Sequence, residues 1–285
     1  MTNPAIHLPE ALRQIPPLPQ VAMRALEMLR DPALPRSALA QVLSLDQAMT
    51  GRFLRLVNSA YYGLPRRITS LDEAIGLLGY EQTKQVVLAA AANRYLTRPL
   101  PAYALEGGAL WQHAIAVATG SDWIARRRHI TPSSEAYVAG LLHDVGKLVL
   151  DMMVRHHAEW STSHDEGQEA GPWTEVERRI TGHDHPALGA AIARSWNLPD
   201  RVVEAIACHH DPSAAILDPR LAAAVHVANA AALMAGVGLG VDGLRYALDS
   251  RAIESLAWSD DDMARLLEEM QAAVDNAEAL LGMRR

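Results

Sequence analysis

The residues of this chain that could do chemistry are its histidines. There are twelve in 285 residues. The informative ones are His113, the His143-Asp144 pair, His185 and the His209-His210 pair, and each lies within or beside an apolar, Ala-rich stretch. Histidine and aspartate are costly to bury unless they are paired or bound to a metal. Several of them on apolar faces therefore point to one shared polar site. The strongest local pattern is Gly140-Leu141-Leu142-His143-Asp144-Val145-Gly146-Lys147. On a helix, His143 and Asp144 diverge by about 100°, which still lets both lean onto one cation. Imidazole with carboxylate suits divalent zinc, manganese or iron. Lys147, one turn beyond His143, is placed to pair with Asp144 or to meet a phosphate. Gly140 and Gly146 leave room for another helix to come close. Taken alone, His143 and Asp144 would equally make a hydrogen-bonded structural pair, and it is the remaining histidines that point to a metal.

Other polar residues have plainer readings. Thr174-Glu175-Val176-Glu177 fits a capping box, which assigns Glu177 to a helix start rather than to a metal. His183 and Asp184 belong to a helix end. His156 and His157 close a helix C-terminus, where a cationic imidazole is favoured. His226 reads as a core histidine one turn from Asn229, Cys208 as a small core residue, and Trp111, Trp123 and Trp196 as packing residues.

The elements that must position these groups read as helices. Pro16-Pro17-Leu18-Pro19 is a stiff lead-in to a helix carrying Val21, Ala22, Ala25, Leu26 and Leu29 at helical spacing. Helices follow at about 37–43 and 46–58, with a turn at 61–65. Ser70-Leu71-Asp72-Glu73 is a capping box, and 81–97 is Ala-rich. Pro99 and Pro101 mark the best internal boundary. Residues 107–128 read as one long helix, and a single helix is expected from Pro132 to about His156. A polar loop covers 161–172, and Pro186 and Pro199 open two further helices. Leu221–Gly240 reads as a buried helix with a Gly-rich end, too poor in large apolar residues to cross a bilayer. Met263, Leu266, Leu267, Met270, Val274, Ala277 and Leu281 form one apolar stripe on a terminal helix, which either docks on its own core or pairs with a second subunit as a homodimer. The expected divisions are 1–100, 101–240 and 241–285. With no strand-like alternation, the fold class is all-α.

Composition narrows the function classes. Lys plus Arg is 26 against 33 Asp plus Glu, a formal net charge of −7. That balance argues against broad binding to nucleic acid or to an anionic membrane. Arg66-Arg67 and Arg126-Arg127-Arg128-His129 read as solvated turns or helix ends. The single cysteine excludes an internal disulfide framework, and residues 1–10 lack the features of a secretory signal. A cytoplasmic protein is expected.

Taken together, the motifs resemble the HD superfamily of metal-dependent phosphohydrolases and, more closely, the HD-related output domain (HDOD) family. The N-terminal part of the resemblance is Ile15-Pro16-Pro17-Leu18-Pro19, the run from Leu54 to Gly63, and Ser70 to Gly79. The C-terminal part is Ala139 to Lys147, His185 to Gly189, Trp196-Asn197-Leu198-Pro199 and His209-His210. The resemblance implies an N-terminal helical bundle packed on an HD-like helical core, acting in bacterial signalling as a regulatory output with signalling proteins as partners and a small nucleotide as a candidate ligand. It also implies a divalent-metal site, with Fe, Mn or Zn as candidates, formed by His113, His143, Asp144, His185, His209 and His210. The last ligand of such sites is an Asp in an Ala-Asp step, and here that step is Ala228-Asn229. Asn offers a carbonyl oxygen but no charge, so metal binding is weakened unless an acidic residue elsewhere compensates. The Gly-Tyr-Pro signature of cyclic-dinucleotide phosphodiesterases is absent after His210. These departures favour a non-catalytic regulatory module. The alternative is a metal-dependent phosphohydrolase, a phosphodiesterase or nucleotidase, in which Asp144 and Lys147 would be catalytic.

Overall fold

Small side chains decide how these helices pack. A computed structural model of the chain describes residues 8–281 apart from 32, 60, 61, 65, 131, 156, 158, 161–170 and 244, with side chains described as far as 275. In chain order the helices are α1 (Leu8–Arg13), α2 (Gln20–Met28), α3 (Arg36–Ser44), α4 (Gln47–Val57), α5 (Leu71–Leu96), α6 (Ala109–Arg127), α7 (Ser133–Leu142), α8 (Lys147–Val154), α9 (Trp173–Thr181), α10 (His185–Ser195), α11 (Asp200–Ala207), α12 (Pro219–Met234), α13 (Ser250–Ser255) and α14 (Asp260–Leu281). Among the described residues the only extended pairing is an isolated bridge between Leu100 and Leu105. The expected all-α fold is the one observed, a bundle of α2–α5 packed on a helical core built around α6.

Helix α6 is the axis of that core, with α7, α12 and α14 packed around it. Its Ala114, Ala116, Ala118 and Ala125 are buried, as are Ala222, Ala223, Ala224, Ala228, Ala231 and Ala232 of α12. Helices apolar on every side belong in an interior, and methyl-sized side chains let their axes come close. The two glycines flanking the His-Asp pair sit in close backbone contact with neighbouring helices. A Cβ on Gly140 would lie 2.7 Å from the Val117 carbonyl of α6, and one on Gly146 would lie 2.0 Å from the His185 carbonyl.

The structure corrects several sequence-based expectations. The single helix expected from Pro132 to His156 is two, α7 and α8, separated by a turn at His143–Gly146. Across this turn Val145 N–H donates to Leu142 O and Lys147 N–H to Asp144 O, the tighter i to i−3 pattern of a 3₁₀ turn. Contact of Gly146 with the α10 backbone fixes the break. His156 lies outside the described residues, as does most of the polar loop at 161–172. Ser70 does occupy the N-cap of α5, but its side chain makes no capping bond, and Glu73 pairs with Arg66 instead. Gly79, at φ 71°, kinks α5.

The terminal stripe docks on its own chain. Leu266, Met270 and Val274 are buried, and α14 packs on α6; the side chains of Ala277 and Leu281 lie outside the described set. Arg127 and Arg128, expected to be solvated, are fixed here. Both reach Asp262, at 3.2 and 2.6 Å, and Arg128 also donates to Leu256 O. Asp262 caps α14 reciprocally with Ser259: its carboxylate accepts from Ser259 N–H and Oγ–H, and its own N–H donates to Ser259 Oγ. Burial raises the Asp262 pKa, but the Ser259 hydrogen bonds and Arg128 outweigh it and bring it to about 2. A depressed carboxyl stabilises the fold above its unfolded pKa and ceases to do so as pH falls through the folded value. Asp262→Ala is therefore expected to lower stability in urea unfolding at pH 7 by about 1–3 kcal/mol, with the gap to wild type closing as pH falls from about 4 towards 2.

Candidate metal centre

Five elements converge beneath α6 and α12. His113 comes from α6, His143 and Asp144 from the turn between α7 and α8, and Lys147 from the first position of α8. His185 opens α10, His209 and His210 follow α11, and Asn229 lies on α12. All are buried except His210, which is half-buried. The structure thus brings together every site residue proposed from the sequence.

The imidazoles share one orientation. His113 Nδ1 lies 2.9 Å from Val237 O, His143 Nδ1 2.7 Å from Gly140 O, and His209 Nδ1 2.7 Å from Ile206 O. His185 Nδ1 lies 2.8 Å from both oxygens of Glu177. In each case the only available role for Nδ1–H is donor, so Nε2 is left to the centre. Backbone and carboxylate acceptors behind imidazole fix metal ligands in the same way.

The Nε2 atoms meet groups that cannot all satisfy them. His185 Nε2 is 3.3 Å from His209 Nε2 and 3.1 Å from His210 Nε2. His113 Nε2 faces Asn229 Oδ1 at 3.0 Å. His143 Nε2 and Asp144 Oδ1 are buried without a hydrogen-bond partner. Converging lone pairs and orphaned buried polar atoms are unfavourable, and a cation among them removes the conflict. Two trios have the necessary spacing: His113, His143 and Asp144, and His185, His209 and His210, with ligand atoms in each trio within 4.8 Å of one another. Asp144 links them. Its Oδ2 lies 3.4 Å from His143 and 3.7 Å from His113, and its Oδ1 lies 3.2 Å from His185 and 3.9 Å from His209.

Charge points the same way. Burial opposes ionisation of Asp144, but His143 and Lys147 overcome it and hold the carboxyl well below its usual range. Burial likewise disfavours the Lys147 ammonium, but Asp144 and Asp242, at 2.7 and 2.6 Å, raise its pKa. Burial holds His113 down at about 4, with help from His143, and burial with neighbouring imidazoles lowers His209 and His210 well below the usual value. His185 differs. Burial lowers its pKa, but Glu177 and Asp144 lift it to about 9.

Two acidic residues of the centre escaped the sequence reading. Glu177 was assigned to a capping box, but α9 begins at Trp173 behind Pro172, so Glu177 lies inside the helix and points inward. It is fully buried and accepts from His185 N–H, His185 Nδ1–H and Tyr103 Oη–H. Its partners Tyr103 and His185 lie on other elements, so local spacing carried no such signal. Asp242 lies in a Gly-rich loop that no motif marked. Asp184, expected at a helix end, caps α10 by accepting from Ala187 N–H. His226 is a core histidine that also supports the site: its Nδ1–H donates to His209 O, and its Nε2 accepts from Asp249 N–H.

Comparison with known proteins agrees with the fold. The HDOD domain family matches residues 15–212, and the chain belongs to that family. A curated but uncharacterised protein of Treponema pallidum (strain Nichols) is 25% identical over 228 residues, which is 74% of this chain; the chain spans 40% of that relative's length. A crystal structure of an HDOD domain protein of unknown function from Geobacter sulfurreducens superposes with a TM-score of 0.71 at 24% identity, covering 97% of this chain and 93% of that one. A protein from Shewanella amazonensis SB2B, proposed to be a metal-dependent phosphohydrolase, superposes at 0.67 with 18% identity, covering 95% and 96% of the two chains. At these identities the two structures establish a shared fold. Among the described residues no helix is long and apolar enough to cross a membrane.

The raised pKa of His185 gives a signed pH dependence. In the metal-free chain its protonated form stabilises the fold fully below its ordinary 6.5, and that contribution is lost as pH rises through about 9. A metal must displace that proton, so affinity rises with pH over the same window. Isothermal titration with Mn²⁺ at several pH values is expected to show tighter binding from pH 6.5 to 9 and proton release that shrinks towards pH 9. Pre-bound metal is expected to flatten the fall in thermal midpoint.

Proposed function

We propose that this chain is a regulatory output module whose HD-type centre holds one divalent cation as a structural or ligand-responsive element rather than as a hydrolytic site. The observation that supports it most directly is how the centre is closed. In a phosphohydrolase Lys147 would face the substrate phosphate, but here its ammonium lies between Asp144 and Asp242. Tyr246 stacks on His210 with ring centroids 3.7 Å apart and planes 14° from parallel, covering the second trio. Charge supports one cation rather than two. Among the described residues Asp144 and Asp242 share the Lys147 ammonium and Glu177 holds His185; once the His185 proton is displaced, two negative charges are left, which one divalent ion balances.

A metal held here would supply Lewis acidity and fix the five elements around it. The chain's own residues do the rest. Glu177 holds His185, the carbonyls of Val237, Gly140 and Ile206 hold His113, His143 and His209, and the loop carrying Asp242 and Tyr246 excludes water. On this reading the surface, held rigid by the loaded centre, meets signalling proteins, with the formal −7 charge disfavouring nucleic acid.

A second reading, a metal-dependent phosphohydrolase, is favoured by retention of His113, His143, Asp144, His185, His209 and His210 around one centre. A phosphodiesterase and nucleotidase assay with Mn²⁺ or Fe²⁺ separates the two. The regulatory reading expects equal background rates from wild type and Asp144→Ala. A metal-dependent rate at least 100-fold above that of Asp144→Ala would establish the enzyme.

A further inference from the structure

Asn229 stands where the resemblance to HD-type sites implies a carboxylate, and it brings none. The segment at 236–243 brings another. It follows α12 and lies beyond the stretch matched to the family, which ends at 212. It approaches the site more closely than any side chain would allow. Gly236 and Gly238 adopt φ of 77° and 67°, and a Cβ on Gly238 would lie 2.5 Å from His113 Cβ. Val237 O accepts from His113, and Val241 N–H donates to Tyr103 O. This pressed-down backbone delivers Asp242, which is 2% exposed, with Oδ2 2.6 Å from Lys147 Nζ.

We propose that Asp242 is the compensating carboxylate of the metal centre. It acts as a positioning residue through Lys147 and sets the charge against which a divalent cation binds. The inference rests on the reading of the cluster as a metal site. The geometry gives Lys147 two anionic neighbours, Asp144 and Asp242. Without Asp242, the lysine would neutralise Asp144, the one carboxylate that touches both histidine trios. With Asp242 present, the ammonium is balanced from the far side, and Asp144 keeps its charge for the cation. The loop thereby restores the charge lost at Asn229 from a different place in the chain.

This makes opposite predictions for the two partners. Removing the anion weakens metal binding, removing the ammonium strengthens it, and removing both restores it. A merely structural pair would weaken binding in all three. The test is Mn²⁺ titration of the metal-free full-length chain, reading free Mn²⁺ by its electron paramagnetic resonance signal, with circular dichroism reporting folding. Asp242→Asn is expected to weaken Mn²⁺ binding roughly 10–100-fold, Lys147→Met to tighten it by a similar order, and the double variant to return near wild type. Four equal affinities would overturn the role of Asp242 while leaving the metal site standing. Weak binding in all three variants, or unfolding of Asp242→Asn that the double variant does not rescue, would make the pair structural and overturn it as well. No binding by wild type would defeat the metal reading itself, and the inference with it.

Discussion

An excess of buried negative charge is the constraint on which this structure depends. Asp144, Glu177 and Asp242 are all at most 2% exposed, and the Lys147 ammonium pairs with two of them, Asp144 and Asp242. Buried charge of this kind is destabilising unless matched. The metal-free chain has one internal remedy, a proton on His185, whose pKa is lifted to about 9 against the burial that would lower it. A divalent cation among the Nε2 atoms is the other. The fold is organised so that the second remedy is available: His113, His143, His185 and His209 are each anchored at Nδ1, which leaves Nε2 to the centre.

Packing follows from the same requirement. Five elements can place side chains on one point only if their backbones come unusually close. That explains Gly140 against α6, Gly146 against α10 and Gly238 against His113, and the alanine-lined faces of α6 and α12. The break between α7 and α8 belongs to this set as well. His143 and Asp144 reach the centre from adjacent positions of that tight turn.

Much of this was legible in the sequence. Most helices, the close approaches at Gly140 and Gly146 and the seven histidine, aspartate and asparagine positions were read from apolar spacing and from motif resemblance, because those signals are local. What was missed depends on contacts between distant segments. Glu177 fits a capping box by spacing, and only the inward turn of α9 shows it behind His185. Asp242 sits among glycines with no motif, and its meaning comes from Lys147, 95 positions earlier. Arg127 and Arg128 look like a solvated helix end until α14 folds back to offer Asp262. The sequence reading allowed that an acidic residue might stand in for Asn229, but nothing in the spacing could choose it.

We propose that the centre holds one divalent metal. The most direct test of this is elemental mass spectrometry on the full-length chain purified without chelator or a nickel column, beside His143→Ala. One metal per chain in wild type, lost in the variant, is the result this account predicts. Metal-free protein that takes up none on incubation with Fe²⁺, Mn²⁺ or Zn²⁺, or a stoichiometry of two, would contradict it.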